Sequence, residues 1–251
     1  MIEKEYGLIG NPLVHSFSQR YFNEKFTSEN IPAQYLNFEL QDIGELMEMI
    51  AEHPKLQGFN VTIPYKEQII PYLDEMDDLA KKVGAVNVVK IIRKGKNLLF
   101  KGYNSDVVGF RDSLKALLNP NHKKALILGT GGASKAVEVA LEQLDIESIK
   151  VSRSVKPGCL TYADITEQVM SEHLVIVNTT PLGMYPEVDL CPDIPYEMMT
   201  PDHFCYDLIY NPDITKFMEL SARKGAAVKN GLEMLLLQAF ESWRIWTESK
   251  G

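Results

Sequence analysis

Lys124-Ala-Leu-Ile-Leu-Gly-Thr-Gly-Gly-Ala-Ser-Lys-Ala136 is the stretch whose reading decides the fold. Lys124–Leu128 is an apolar run with the character of a buried strand. Gly129, Gly131 and Gly132 follow, and then Ala133, Ala136, Val137, Val139, Ala140 and Leu144 recur at helical spacing. A strand that turns through glycines into a helix is the phosphate-cradling turn of a dinucleotide fold. The glycines permit the tight turn and the close approach of backbone to pyrophosphate, and the helix N-terminus offers N–H donors and partial positive charge. Ser134 stands where the third glycine of the GxGxxG pattern would fall. The competing reading is therefore a tight strand–helix turn whose small residues serve packing alone.

The end of the next strand discriminates the cofactor. An NAD site carries Asp or Glu about 20–25 residues past the first glycine. Here Ile149-Lys-Val-Ser-Arg-Ser154 has no acid, and Arg153 is flanked by Ser152 and Ser154 with Lys156 just beyond. A guanidinium fork and two hydroxyls suit a 2′-phosphate dianion through charge-assisted bonds. The loop predicts NADP(H) over NAD(H), its alternative being an ordinary solvated basic loop.

The 251 residues suffice for one large domain or two modest ones, and 45% apolar with 24% charged residues is the composition of a soluble globular protein. A net charge of −8 argues against a nucleic-acid or anionic-membrane partner, so basic groups that hold an anion must be local. Cys159, Cys191 and Cys205 lack disulfide or metal-ligand spacing, which predicts reduced thiols in a cytoplasmic protein and no metal. No stretch reaches the ~18 apolar residues of a membrane span, and the first residues lack a signal-like apolar core.

The first half of the chain alternates strand and helix patterns. Strands are expected at Tyr6–Gly10, Gln34–Phe38, Gln57–Val61, Val88–Ile92 and Leu98–Lys101, the last two joined by a Lys94-Gly-Lys96 hairpin turn. This is an α/β domain with a mainly parallel sheet. Ser16 and Ser18, two residues apart, can send hydroxyls into one pocket, or can be a helix N-cap and its neighbour. Pro64 ends a strand, so Thr62 and Lys66 fall in the loop and first helical turn beyond its carboxyl edge, where α/β sheets place ligand groups. Taken alone, Lys66 also reads as a solvated surface charge and Asp106 as a helix-start acid favoured by the dipole.

Beyond the glycine turn, Leu160–Met170 is weakly helical, and Leu174–Val177 and Phe204–Leu208 are strands followed by polar loops. Asn178-Thr-Thr-Pro-Leu-Gly-Met184 sits where it can border a nicotinamide. In the last helix Leu232, Leu235, Leu236, Ala239, Phe240 and Trp243 mark a core-facing stripe, and Gln238 lies on another stripe that solvent would ordinarily claim.

Eight motifs coincide in order over nearly the whole chain: His15-Ser-Phe-Ser18, Asn60-Val-Thr-Ile-Pro-Tyr-Lys66, Gly84-Ala-Val-Asn87, Asn104-Ser-Asp-Val-Val-Gly109, Gly129-Thr-Gly-Gly-Ala133, Asn178 to Met184, Asp207-Leu-Ile-Tyr-Asn-Pro212, and Gly231-Leu232 through Gln238-Ala239. On these the sequence resembles the shikimate dehydrogenase family. The resemblance implies reversible, NADPH-dependent reduction of 3-dehydroshikimate to shikimate in aromatic biosynthesis. It also implies two domains, an N-terminal α/β substrate-binding and catalytic domain of residues 1–102 plus 230–251 and a Rossmann-like NADP-binding domain of residues 103–229, separated by a cleft.

Carried over residue by residue, the resemblance puts Ser16 and Ser18 on the substrate carboxylate, with Tyr210 assisting. Thr62, Lys66, Asn87, Asp106 and Gln238 would hold the ring hydroxyls, with Lys66 and Asp106 as the catalytic pair. The cofactor falls to Gly129, Gly131, Gly132, Ala133, Ser152, Arg153, Ser154, Thr179 and Gly231. The protein is expected to act as a monomer or homodimer. Two departures stand out: Gln19 follows the serine pair where proline is usual, and Ser152-Arg153-Ser154 replaces the commoner Asn-Arg-Thr. Two rivals remain, an NAD-preferring quinate/shikimate dehydrogenase and a non-catalytic shikimate-binding relative.

Overall fold

The structure, a computed structural model, describes residues 2–13, 17–95 and 97–248. The chain divides into two compact units, Met1–Ser105 with Ala239–Gly251, and Asp106–Gln238. His15, Ser16 and Lys96 lie outside the described residues, so neither the first half of the serine pair nor the tip of the expected hairpin is described.

In the first unit the order is β1 (Lys4–Gly10), α1 (Phe17–Ser28), β2 (Ala33–Glu39), α2 (Leu46–Glu52), β3 (Leu56–Val61), α3 (Tyr65–Gln68), β4 (Glu75–Met76), α4 (Asp78–Val83), β5 (Val88–Lys94) and β6 (Asn97–Tyr103). The strands form one sheet in the order β2-β1-β3-β5-β6-β4. Its expected parallel character holds for β2, β1 and β3. β5 then runs antiparallel to both β3 and β6, and the two-residue β4 pairs parallel to β6.

Period-two alternation in β1 sends Tyr6 and Leu8 to one face and Ile9 to the other. On the first face they meet Phe22 and Phe26 of α1, Tyr35, and Ile245 and Trp246. On the second, Ile9 joins Leu46, Met49 and Ile50 of α2, Tyr65 of α3 and Ala80 of α4. Local chemistry bounds α4: the Asp77 side chain accepts the Ala80 N–H, and Gly84, at φ +67°, ends the helix in a left-handed turn.

The second unit begins within α5 (Ser105–Lys115) and continues with β7 (Lys124–Leu128), α6 (Gly132–Glu142), β8 (Glu147–Ser152), β9 (Cys159–Thr161), α7 (Glu167–Glu172), β10 (Val175–Asn178), β11 (Phe204–Asp207), α8 (Lys216–Ala222), β12 (Ala227–Lys229) and the start of α9 (Leu232–Thr247), whose residues from Ala239 onward belong to the first unit. Leu144 falls beyond the end of α6. The sheet order β9-β8-β7-β10-β11-β12 is parallel throughout. Numbered from β7, this is the 3-2-1-4-5-6 order of a doubly wound dinucleotide fold, with its switch point between β7 and β10. Where the sequence reads as one weak helix over 160–170, the chain instead supplies β9, a 3₁₀ turn and then α7.

The buried stripe of α9 also differs from the expected one. Leu232 and Phe240 are 41% and 50% exposed, whereas Met234, Ala239, Ile245 and Trp246 are buried. Polar anchors set the rotation: Ser242 is fully buried and bonded to Asn60, and the Trp246 indole N–H donates to the Val89 carbonyl at 3.0 Å.

Candidate active site

In the second unit the β7–α6 turn is built to leave one side of the backbone bare. Gly129 has φ +113°, where side chains are strained, and a Cβ there would fall 2.7 Å from Thr179 Oγ1. Thr179 itself is pinned to the end of β7, its N–H and hydroxyl both donating to the Leu128 carbonyl at 3.0 and 2.7 Å. The switch point thus brings together two of the residues assigned to the cofactor. Around Gly131 and Gly132 an added Cβ would meet nothing within 4 Å.

The missing third glycine has a local explanation. Ser134 is fully buried, and its N–H and hydroxyl both donate to the Gly131 carbonyl, at 3.0 and 2.6 Å, closing the turn. Gly132 and Ala133 start α6, so their N–H groups belong to the helix's first turn, where donors lack intrahelical acceptors. This open cradle fits a pyrophosphate.

At the end of β8, Ser152 is buried and its hydroxyl accepts the Ser154 N–H at 3.3 Å, whereas Arg153 and Ser154 are exposed. Lys156 reaches back to the glycine turn, its ammonium donating to Thr130 Oγ1 at 2.9 Å. The loop brings basic groups to the turn with no acid at the strand end, which fits a 2′-phosphate better than a 2′-hydroxyl.

Asn178 and Asp207 are register partners at the carboxyl ends of β10 and β11. The fully buried Asp207 carboxylate accepts from Asn178 Nδ2 at 3.1 Å, the Ile209 N–H at 3.0 Å and the Thr215 hydroxyl at 2.6 Å. Burial pushes its pKa up to about 6 against the opposing effect of those hydrogen bonds. Asn178 Oδ1 in turn accepts the Thr180 N–H and hydroxyl. Asp207 therefore braces two loops, one carrying Thr179 and the other Tyr210, which is 38% exposed. In the sequence Asp207 stands out only as the first residue of the Asp207–Pro212 motif. Its available signal is an acid closing an apolar strand.

Gly231 approaches the chain leaving β11 closely: its N–H donates to the Ile209 carbonyl at 3.0 Å, and a Cβ would collide with the Leu208 carbonyl. Gln238, half-buried on α9, faces α5, where a Cβ on Gly109 would come within 3.1 Å of Gln238 Cβ. Asp106 lies in the first turn of α5 and is only 5% exposed.

The first unit carries the rest of the assigned substrate residues. The Thr62 N–H donates to the Ile9 carbonyl and its own carbonyl accepts the Tyr65 N–H, each at 2.9 Å, which fixes the turn between β3 and α3. Lys66 is the second residue of α3, half-buried, and its carbonyl accepts the Val86 N–H at 2.8 Å. That bond ties the lysine's backbone to the segment ending in Asn87. Asn87 is 2% exposed, and Ser105 holds its carboxamide at both ends: Ser105 N–H donates to Oδ1 at 2.7 Å and Nδ2 donates to Ser105 Oγ at 3.0 Å. Ser18 is in the first turn of α1.

A doubly wound sheet with a phosphate-type turn and a basic loop, carried on one chain with a mixed α/β unit of buried amides and a strand-end lysine, defines a dinucleotide-binding enzyme of two units. The sequence profile of the shikimate dehydrogenase substrate binding domain matches residues 8–89. The shikimate dehydrogenase (NADP(+)) of Caldanaerobacter subterraneus subsp. tengcongensis is 38% identical over 264 aligned positions, covering 97% of this chain and 91% of that one. The crystal structure of shikimate dehydrogenase from Aquifex aeolicus superposes with a TM-score of 0.84 at 36% identity, covering 97% and 92% of the two chains. The Thermus thermophilus enzyme in complex with NADP(H) and shikimate gives a TM-score of 0.84 at 28% identity, covering 97% and 93%. The chain belongs to the shikimate dehydrogenase family.

Proposed function

We propose that this protein catalyses the reversible NADPH-dependent reduction of 3-dehydroshikimate to shikimate. The observation that carries the reading is the near full-length similarity to NADP(+)-dependent shikimate dehydrogenases, joined to a β8 end that offers Arg153 and Lys156 rather than an acid. The glycine turn with Ala133 holds the pyrophosphate, Arg153 and Ser154 hold the 2′-phosphate, and Thr179 and Gly231 border the nicotinamide side. When bound, NADPH supplies hydride to the C3 carbonyl carbon.

The chain's own residues manage charge and position. Ser16 and Ser18 donate to the substrate carboxylate with help from Tyr210, and Thr62, Asn87 and Gln238 hold the ring hydroxyls. As the C3 oxygen gains alkoxide character, the Lys66 ammonium stabilises it and delivers the proton that completes the alcohol; the reverse reaction returns that proton to the lysine. Asp106 accepts a hydrogen bond from the neighbouring C4 hydroxyl. The substrate-binding domain is residues 1–102 plus 230–251 and the NADP domain is residues 103–229. The protein is a cytoplasmic enzyme, monomeric or homodimeric, with small-molecule partners. Among the described residues, no helix is long and apolar enough to cross a membrane.

The test is absorbance at 340 nm with shikimate, running NADP and NAD side by side, and then quinate. Strong turnover with shikimate and NADP alone is expected. Comparable NAD or quinate turnover would move the protein to a broader quinate/shikimate activity, and binding of shikimate without turnover would make it a non-catalytic relative.

A further inference from the structure

Inside the first unit a hydrogen-bonded chain of buried side chains runs from Tyr35 to Asn87, the residue read above as holding a ring hydroxyl of the substrate. Its members are Tyr35, Asn60, Ser242 and Ser105, all at most 8% exposed. A backbone acceptor fixes the direction of the bonds at Asn60. The Asn87 carbonyl takes the Val61 N–H at 2.9 Å and Asn60 Nδ2 at 3.1 Å, which orients the Asn60 carboxamide. Asn60 Oδ1 then faces Tyr35, so the phenol donates to it at 2.8 Å. The other Asn60 N–H donates to Ser242 Oγ at 2.9 Å. Ser242 Oγ lies 3.3 Å from Ser105 Oγ within hydrogen-bonding reach, and Ser105 clamps the Asn87 carboxamide.

We propose that Tyr35 and Ser242 are positioning residues of the substrate half of the site, a role that rests on the function proposed above. Stability alone does not account for such a chain, because apolar residues of the same shape can replace a buried hydrogen-bonded pair at little cost. A fully satisfied buried network instead fixes one arrangement of its members. This one fixes the carboxamide of Asn87, at its end. It also enlists α9, since Ser242 lies 182 residues from Asn60 in sequence. Substrate recognition by Asn87 thereby depends on the C-terminal helix.

Two single-oxygen deletions test this. Tyr35→Phe keeps the ring stacked on Phe22, with centroids 4.8 Å apart, and Ser242→Ala removes one hydroxyl from the middle of the chain. Each should raise the KM for shikimate roughly tenfold, as expected for a buried polar partner left unpaired. The kcat should stay within about threefold and the KM for NADP should not move. The double variant should fall short of the product of the two, because both act through one connected network. Ile245→Val, an apolar truncation in the same core, should lower the Tm without changing either KM. Shikimate KM values at the wild-type level in both variants would overturn the proposal. If wild-type protein does not turn over, calorimetric Kd values for shikimate give the same reading. A tenfold weakening then upholds the positioning role while the catalytic reading fails, and absence of shikimate binding by wild type removes both.

Discussion

Asp207 accepts the Thr215 hydroxyl at 2.6 Å in a site closed to solvent, and no lysine or arginine is among the causes of its shifted pKa. Thr215 also caps α8 by accepting the Met218 N–H. A buried carboxylate held only by neutral donors binds its proton more tightly folded than unfolded, and here the folded pKa is about 6 against an ordinary 3.8. The stabilisation from that tighter proton is complete below the unfolded value and is lost as pH rises through about 6. Two pKa units amount to roughly 3 kcal/mol. Asp207→Asn imitates the protonated acid, so its stability relative to wild type should rise between pH 4 and pH 7.5. Urea denaturation at the two pH values measures this, and a difference independent of pH would refute it.

Lys66→Ala should cut kcat by about 10²–10⁴, the range for loss of a general acid–base group. Lys66 is on α3 in the first unit, and the glycine turn belongs to the second. NADP binding, followed by calorimetry or fluorescence titration, should therefore stay within about twofold of wild type, as expected where the deleted side chain is not a ligand of the cofactor. Wild-type turnover in the variant would remove the lysine from the chemistry.

What sequence makes legible here is what neighbouring residues encode. The glycine turn, the apolar strands β7 and β10 and the polar segment 60–66 carry local periodicity or turn chemistry, and each falls where its pattern indicates. β4 spans two residues and β9 three, too short for a period to register, and β9 sits in a stretch that reads equally well as weak helix. The reversal at β5 follows from pairing across the sheet, which single-strand patterns do not record. The buried face of α9 departs from its apolar spacing because its rotation is set by Ser242 and the Trp246 indole, polar groups whose partners are distant in sequence. Tyr35 and Asp207 escaped for the same reason: burial and partners, not residue type, give them their roles.

Arg153→Ala should raise the KM for NADP by about 10–100-fold, the effect of losing charge-assisted hydrogen bonds to a phosphate, while the KM for NAD changes less than threefold. Arg153 is exposed at the end of β8 and Ser152 is buried with its hydroxyl occupied, so the guanidinium rather than Ser152 should carry the discrimination. Ser152→Ala should thus alter the NADP-to-NAD preference little. Steady-state kinetics with both cofactors read the two variants together, and equal effects of Arg153→Ala on NADP and NAD would remove the 2′-phosphate role.

Two glycines of the same turn should fail in different ways when replaced by alanine. At Gly129 the φ of +113° is strained for any side chain, and the new Cβ would press within 2.7 Å of Thr179 Oγ1, which is itself bonded to Leu128. Gly129→Ala should therefore cost roughly 2–4 kcal/mol of stability, from backbone strain and the displaced threonine. Gly131 has φ −80° and ψ −176°, an extended conformation open to every residue, and its Cβ would meet nothing within 4 Å. Gly131→Ala should fold with a Tm near wild type, yet its methyl would project into the space where the pyrophosphate meets the backbone and weaken NADP binding by about tenfold or more. Thermal melts paired with NADP titration separate the cases. A Gly131→Ala variant that keeps full NADP affinity would show that the pyrophosphate does not lie against this turn.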